Sequence, residues 1–434
     1  MRYADNPIPG MNQNLNKLGP TFGGYIGGLY PSIVTTDPDF IRHVLQKNHR
    51  NYHKSFLHFE KLAYFLGKGL LTSDGDYWLK QRRLIQPGFH RQRLEGLTQI
   101  MLKVIDEFLV KFDQKIKEGP IDIYTEMMEL AFEIIARSLF GKAIKRQDLQ
   151  VLSNNLTEIQ TFVVQQIRQP YLHPWLKCSG KIKRHKQLAE QSEAIILKYI
   201  RERKNAATPG NDLLQMLLDA RYHDNGEEMT ERQLLDEINI LLEAGHETSA
   251  NALCWTWHLL SQHPETIARL REELQDVLGN KVHPSFEDLK RLTYSRQVIQ
   301  ESMRLFPPAW VTNRITATDD IFEGIKIPKG TIMVLYIYGV HHSHKYWRNP
   351  ESFDPDRFGP DQNLAHAYAY LPFGNGPRLC IGNNFALMEM QLVLAQMLRR
   401  YQVQPITDQQ IDLQPLITLR PKSGILLNIN SEKF

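Results

Sequence analysis

Cys380 lies near the end of the run Phe373-Gly374-Asn375-Gly376-Pro377-Arg378-Leu379-Cys380-Ile381-Gly382. One thiol thus follows a glycine-rich turn, two residues after an arginine. A helix pattern begins at once with Asn384-Phe385-Ala386-Leu387-Met388-Glu389-Met390. In such a setting a thiolate can serve as a metal ligand. Its sulfur needs backbone N–H donors nearby, because they tune its charge and the potential of the metal. Glycines let the backbone come that close, and the N-terminus of the next helix adds positive potential. The alternative is a structural cysteine in a loop, the usual fate of a lone cysteine. A second group is Ala244-Gly245-His246-Glu247-Thr248-Ser249, in the middle of the longest helical pattern. Glycine costs about 1 kcal/mol in a helix interior relative to alanine. A threonine hydroxyl can bond a preceding carbonyl, and water can insert into the ladder. That would open a groove edged by a hydroxyl and a carboxylate, a pair able to hand protons to a bound molecule. The alternative is a helix with a solvated polar face.

The two segments together resemble motifs of the cytochrome P450 family. The Cys380 run matches its F-G-x-G-x-R-x-C-x-G loop at every fixed position, and the helix segment matches its A-G-x-[DE]-T-[TS] element. The resemblance implies haem b with the Cys380 thiolate as axial metal ligand. Phe373, Gly374 and Gly382 would shape the ligand loop, and Ala244 would line the haem face. Arg378 would meet a haem propionate. Thr248 and Glu247 would be catalytic, Thr248 at the distal oxygen site and Glu247 delivering protons. His246 reads as a polar wall residue and not a ligand, since Glu247 points about 100° away from it around the helix.

Other matches follow in the family's order. Trp78-Leu79-Lys80-Gln81-Arg82 resembles W-x-x-x-R, so Trp78 and Arg82, one turn apart, would face one propionate. Arg314, after Pro307-Pro308-Ala309-Trp310, stands where the family often places another propionate ligand. Glu301-Ser302-Met303-Arg304 and Phe353-Asp354-Pro355-Asp356-Arg357-Phe358 resemble E-x-x-R and P-E-R-F, with Asp356 where Glu is commoner. Glu301, Arg304 and Arg357 would then form a buried structural triad and not a solvated ion pair.

The implied activity is a monooxygenase that inserts one oxygen atom of O2 into a lipophilic small molecule, fatty-acid or terpenoid-like. A peroxide-driven peroxygenase is one rival, although the family's dedicated peroxygenases usually lack the acid–alcohol pair. A non-enzymatic haem-thiolate sensor is another, although it would normally carry an output domain. The resemblance places Phe56, Phe65, Phe162, Leu241, Ala244, Trp310, Val311 and Ile417 around the substrate, with Tyr52, Phe59 and Tyr64 beside them. Such a lining is apolar, as small-molecule sites generally are. His53, Lys54 and His58 are candidates to meet a carboxylate at its entrance. No G-x-G-x-x-G follows a strand, and no flavin or ferredoxin segment is present. Electrons are therefore expected from a separate ferredoxin or flavodoxin with its reductase. Lys80, Arg83, Arg91 and Arg93 are candidates to steer it.

These residues need a scaffold. Apolar positions recur at helical steps over 91–118, 121–140, 147–168 and 182–204. Thr230 with Gln233 reads as a capping box opening a helix to about His263. Roughly 33 residues at 1.5 Å each give ~50 Å, enough to cross a whole domain. Its centre must be buried, and polar residues there need a reason. Residues 20–36 read as strands, Asp37 and Pro38 as the start of a short helix through Leu45. Residues 323–338 read as a hairpin around Pro328-Lys329-Gly330, and 384–400 as the last helix. The expected fold is mainly α with a smaller β-rich part, the P450 fold with a long central helix over haem. One domain is expected over 1–434, β-rich at about 20–60, helical beyond, with the ligand loop at 373–382.

The 42% hydrophobic and 23% charged content is ordinary for a globular chain. A net charge of +4 makes no case for nucleic acid. Cys178, Cys254 and Cys380 form neither a disulfide framework nor a zinc pattern, so a reducing cytoplasm is expected. Met1-Arg2-Tyr3-Ala4-Asp5-Asn6-Pro7 reads as neither a signal peptide nor a membrane anchor, and a monomer is expected.

Overall fold

The computed structural model describes residues 6–141 and 144–432, without the side chains of positions 57, 58 and 92. The readings of the first five residues and of His58 lie outside it.

Apolar periodicity placed the long helices within a few residues. They run Arg91–Lys115, Ile123–Phe140, Arg146–Arg168 and Lys181–Lys204. The central helix is Glu231–Gln262, and Thr230 and Gln233 cap it reciprocally. It packs along Ile123–Phe140 and on the last helix, Asn383–Leu398. Gly245 allows the first contact. A Cβ there would sit 3.0 Å from the Ile135 side chain. That close approach, and not an opened ladder, accounts for the glycine, since the helix is continuous through it.

The β-rich part is assembled from distant segments. Its main sheet has the order Thr21–Ile26, Tyr30–Thr35, Ile332–Leu335, Thr312–Thr316, Tyr52–His53. Tyr30–Thr35 pairs in parallel with Ile332–Leu335, so two strands come from the far half of the chain. Residues 20–60 are also less uniformly β than expected, because helix Phe56–Leu66 begins inside them. Asp37 does cap Pro38–Arg42, which continues as a π-helical turn, His43–Lys47.

The hairpin near 328 is displaced. Asp320–Phe322 pairs with Ile325–Ile327 around Glu323-Gly324. Both turn residues have positive φ, 48° and 82°, as a tight hairpin turn with the strands' twist demands. Pro328-Lys329-Gly330 instead redirects the chain into the main sheet, where Ile332–Leu335 joins Thr312–Thr316. Here local alternation was right about the strands and silent about their partners.

The Cys380 run is a compact loop. The Cys380 N–H donates to the Phe373 carbonyl at 3.0 Å, which closes its ends. Gly374 and Gly376 both have φ of 70°. A Cβ on Gly376 would lie 2.2 Å from the Leu45 carbonyl oxygen, whereas one on Gly374 meets nothing within 4 Å. Left-handed backbone costs a non-glycine residue about 1–2 kcal/mol. Gly374→Ala should therefore lower unfolding free energy by about that amount, and Gly376→Ala by distinctly more because backbone must also move. Urea unfolding of the two variants checks the order, and equal losses would contradict it.

Candidate active site

Accessible surface at interior positions marks what reads as a slot between the central helix and the cysteine loop. Ala244 sits mid-helix yet is exposed, and Thr248, one turn on, is partly so. Cys380 is likewise exposed by surface area although protein encloses it on all sides. The two facts agree if the surface that Ala244, Thr248 and Cys380 share is internal. The Thr248 hydroxyl donates to the Ala244 carbonyl at 2.6 Å. Burial pushes the Cys380 thiol up, while the Gly382 N–H and the Arg82 charge pull it down. Cys178 stands exposed at a helix end, and Cys254 lies in the core with its thiol pushed up by burial.

At the edge of the slot, cations converge. Arg378 lies 4.2 Å over the Trp78 ring and pairs with Asp74. Its Nη1 is buried with no partner among the described residues. Arg314 is 7% exposed and is pushed down to about 10, by burial first and then by Arg378. Lys54 is driven well down by burial, then by Arg378 and Arg314. Its Nζ donates to the Leu70 carbonyl at 2.9 Å. Three mutually repelling basic groups thus stand together, with Asp74 beside Arg378 and Glu237 acting on Lys54. An orphaned Arg N–H and this surplus of positive charge suit a ligand with two carboxylates, as haem b has. The residues present therefore fit haem. Sequence reasoning had set Lys54 at the pocket entrance and missed Asp74. The signal for Asp74 was its N-cap position before Gly75–Ile85. Arg82 donates to the Leu379 carbonyl at 2.8 Å, on the sulfur side of the loop.

The acid of the central helix has its own partners. Glu247 is 2% exposed, and burial raises its carboxyl. Arg420, 3.8 Å away, Thr418 and Gln160 draw it back down. His246 is buried against Phe132 with its imidazole held to about 4 by burial, a neutral wall residue.

The expected substrate lining is only partly brought together. Phe56, Val311 and Ile417 are half-buried, and Leu241 is 8% exposed. Phe65 and Phe162 pack on each other, and Phe162 stacks on His185 at 3.8 Å, which makes it core. Trp310 is buried and donates to the Leu416 carbonyl at 3.1 Å. Tyr52 and Tyr64 are elsewhere. Tyr52 donates to Asp320 at 2.6 Å beneath the sheet, and Tyr64 is 54% exposed. Helix periodicity could not say which side of Phe56–Leu66 faces inward.

Glu301, Arg304 and Arg357 do meet. Arg304 grips Glu301 through Nε at 2.7 Å and Nη2 at 2.8 Å, both side chains fully buried. Arg357 Nε reaches Glu301 at 3.2 Å. Asp356 is outside this group, paired with Arg269 on the surface. Of the expected steering cations, Lys80 pairs with Asp224 and Arg91 with Glu287. Arg83 and Arg93 form no ion pair among the described residues and line a surface cleft of about 910 Å³, well outside the slot's own residues. Among the described residues no helix is long and apolar enough to cross a membrane.

Comparison with known proteins agrees with this geometry. The family model described as Cytochrome P450 matches residues 2–428. The chain is 31% identical over 411 residues to a cytokinin hydroxylase of Arabidopsis thaliana, covering 92% of this chain and 79% of that protein. It is 29% identical over 421 residues to a taurochenodeoxycholic 6 alpha-hydroxylase of Sus scrofa, covering 93% and 82%. Its fold is similar to a crystal structure of a cytochrome P450DA heme domain. The TM-score is 0.85 at 25% identity, over 99% of this chain and 93% of that one.

Proposed function

This chain belongs to the cytochrome P450 family and is a haem-thiolate monooxygenase, and from that premise we propose that it oxygenates a lipophilic small molecule of the fatty-acid or terpenoid kind. The whole chain would act as one domain, with Cys380 as the thiolate ligand. The observation that supports the residue assignment is the accessible surface kept by Ala244, Thr248 and Cys380, read as one shared slot. Cys380 would bound it on one side and Ala244 and Thr248 on the other, with the basic cluster of Arg378, Arg314 and Lys54 at its edge.

When bound, haem supplies the reduction of O2 and the transfer of one oxygen atom. The residues do the rest. Cys380 would hold the metal, and the Gly382 N–H would steady charge on sulfur. Arg378, Arg314 and Lys54 would hold the two propionates, with the Trp78 ring stacked against Arg378. Ala244, by being small, leaves room on the distal face. Thr248 spends its proton on the Ala244 carbonyl and so turns lone pairs towards the slot. Glu247 lies 3.8 Å from Arg420, whose fixed positive charge favours its carboxylate form, and one residue from Thr248, so it would take up and pass on the proton. Phe56, Leu241, Val311 and Ile417 would keep water away and favour an apolar guest.

Electrons would arrive from a separate ferredoxin or flavodoxin drawn by Arg83 and Arg93, an attraction that weakens with salt. The three free cysteines support a reducing cytoplasm as its setting. The reading is tested by adding a long-chain fatty acid to the purified ferric protein and following the Soret band. A shift towards the high-spin form is expected. A band that stays in place overturns the fatty-acid assignment and leaves terpenoid-like substrates.

A further inference from the structure

One buried acid plays no part in the account above. Glu243 lies one turn before Glu247 on the central helix, so both carboxyls project from neighbouring positions on one side. Glu243 is 5% exposed. Its Oε1 accepts a short hydrogen bond from the Gln160 amide, and its Oε2 has no partner among the described residues. The same Gln160, from helix Arg146–Arg168, also lies near enough to Glu247 to favour its charged form. Two carboxyls in a dry interior thus stand one helical turn apart beside one amide, which bonds Glu243. Only Glu247 has a cation, Arg420, within reach. Like charges this close in a low-dielectric site cannot both ionise, so the pair must be asymmetric.

We propose that Glu243 is a positioning residue for the acid–alcohol pair: bridged to Glu247 by the Gln160 amide, it holds a single proton between two carboxyls and leaves Glu247 as the ionised, mobile partner. This rests on the reading of Glu247 and Thr248 as the proton path to the slot. Gln160 is a bridge and not a relay, because an amide N–H does not release its proton. Neither Glu243 nor Gln160 belongs to the A-G-x-[DE]-T-[TS] element, since Glu243 precedes it and Gln160 is on another helix.

The groups facing the pair define its pH behaviour. They are Gln160 from helix Arg146–Arg168, Thr418 and Arg420 from the hairpin of strands Leu413–Pro415 and Leu419–Pro421, Tyr124 from helix Ile123–Phe140, and the two glutamates themselves. Of these, only Glu247 acts on Glu243 by charge, and burial with that charge pushes Glu243 up to about 8. Below that pH Glu243 is neutral. Above it, a second negative charge appears one turn from Glu247, which then grips its own proton more tightly and releases it more slowly. The share of electrons ending in product, and not in peroxide, should therefore fall as pH rises through about 8.

Two measurements on the intact holoenzyme with its reductant test this. The first is product formed per electron consumed across pH 6 to 10, for wild type, Glu243→Gln and Gln160→Leu. Wild type should lose yield in alkali, and Glu243→Gln should lose that fall. Gln160→Leu, which removes the bridge, should lower the yield already at neutral pH. It also serves if Glu243→Gln does not fold. An alkaline fall unchanged in Glu243→Gln, or a Gln160→Leu profile identical to wild type, overturns the proposal. The second readout needs no turnover. Infrared difference spectra in H2O and D2O should show a protonated-carboxyl band at neutral pH that Glu243→Gln removes. Glu237 and Glu389, also raised to about 8, cancel in that difference. No lost band overturns the proposal. Glu247→Gln separates the two layers. If it leaves product yield intact while the Glu243 band persists, the proton-path reading fails and the carboxyl pair stands.

Discussion

Cys380→Ala should lose the red-shifted Soret band of the reduced, CO-bound protein, and product formation should fall to background. The thiolate supplies the electron density that distinguishes this ligation, and no other sulfur can take its place. Cys254 is in the core, where burial keeps its thiol protonated, and Cys178 is at the surface. The companion variants Cys254→Ala and Cys178→Ala should both keep the band. A red-shifted band surviving in Cys380→Ala would show that the ligand had been misassigned. The propionate cluster does not depend on the sulfur, so some haem should remain bound with an altered spectrum. That separates loss of the ligand from loss of the cofactor.

Arg304→Met should be the most destabilising single change in the chain that leaves the slot untouched. Arg304 places all five N–H donors. Two go to Glu301, and three go to the carbonyls of His341, Pro350 and Ser352. Glu301 also accepts the Asp354 backbone N–H at 3.0 Å and Arg357. The substitution strands a carboxylate that is 0% exposed and three backbone carbonyls. Breaking a buried pair in this way costs about 3–5 kcal/mol. Arg357→Ala should cost less, since its side chain is 11% exposed and its contact is longer. Urea unfolding monitored by fluorescence measures both. A loss below ~1 kcal/mol for Arg304→Met would mean that water reaches Glu301 and the triad is not dry. Adding Glu301→Gln to Arg304→Met should recover part of the loss, because the stranded charge is then gone.

Chemistry that depends on short spacing was legible in the chain itself. The Cys380 loop, its two left-handed glycines, the Glu247-Thr248 neighbours and the Glu301/Arg304 step all lie within one turn of helix or loop. Their relative placement follows from backbone geometry alone. The long helices were legible for the same reason, since burial of one face imprints a 3.6-residue period. What the chain alone left open is everything that joins segments far apart in sequence. The Gly245 side of the helix was decided by Ile135, more than a hundred residues earlier. Arg420 beside Glu247, Lys54 beside Arg314 and Gln160 between two glutamates have no local signature. Each is an arginine, lysine or glutamine of ordinary surface type. Tyr52 and Tyr64 looked like pocket aromatics and went to a sheet lobe and to solvent. An apolar ring is equally satisfied by any dry surface, and only packing chooses which. Sequence thus determined the reacting groups and the rods that carry them. The tertiary structure decided which charges those groups meet, because electrostatic partners are set by distance in space and carry no period along the chain.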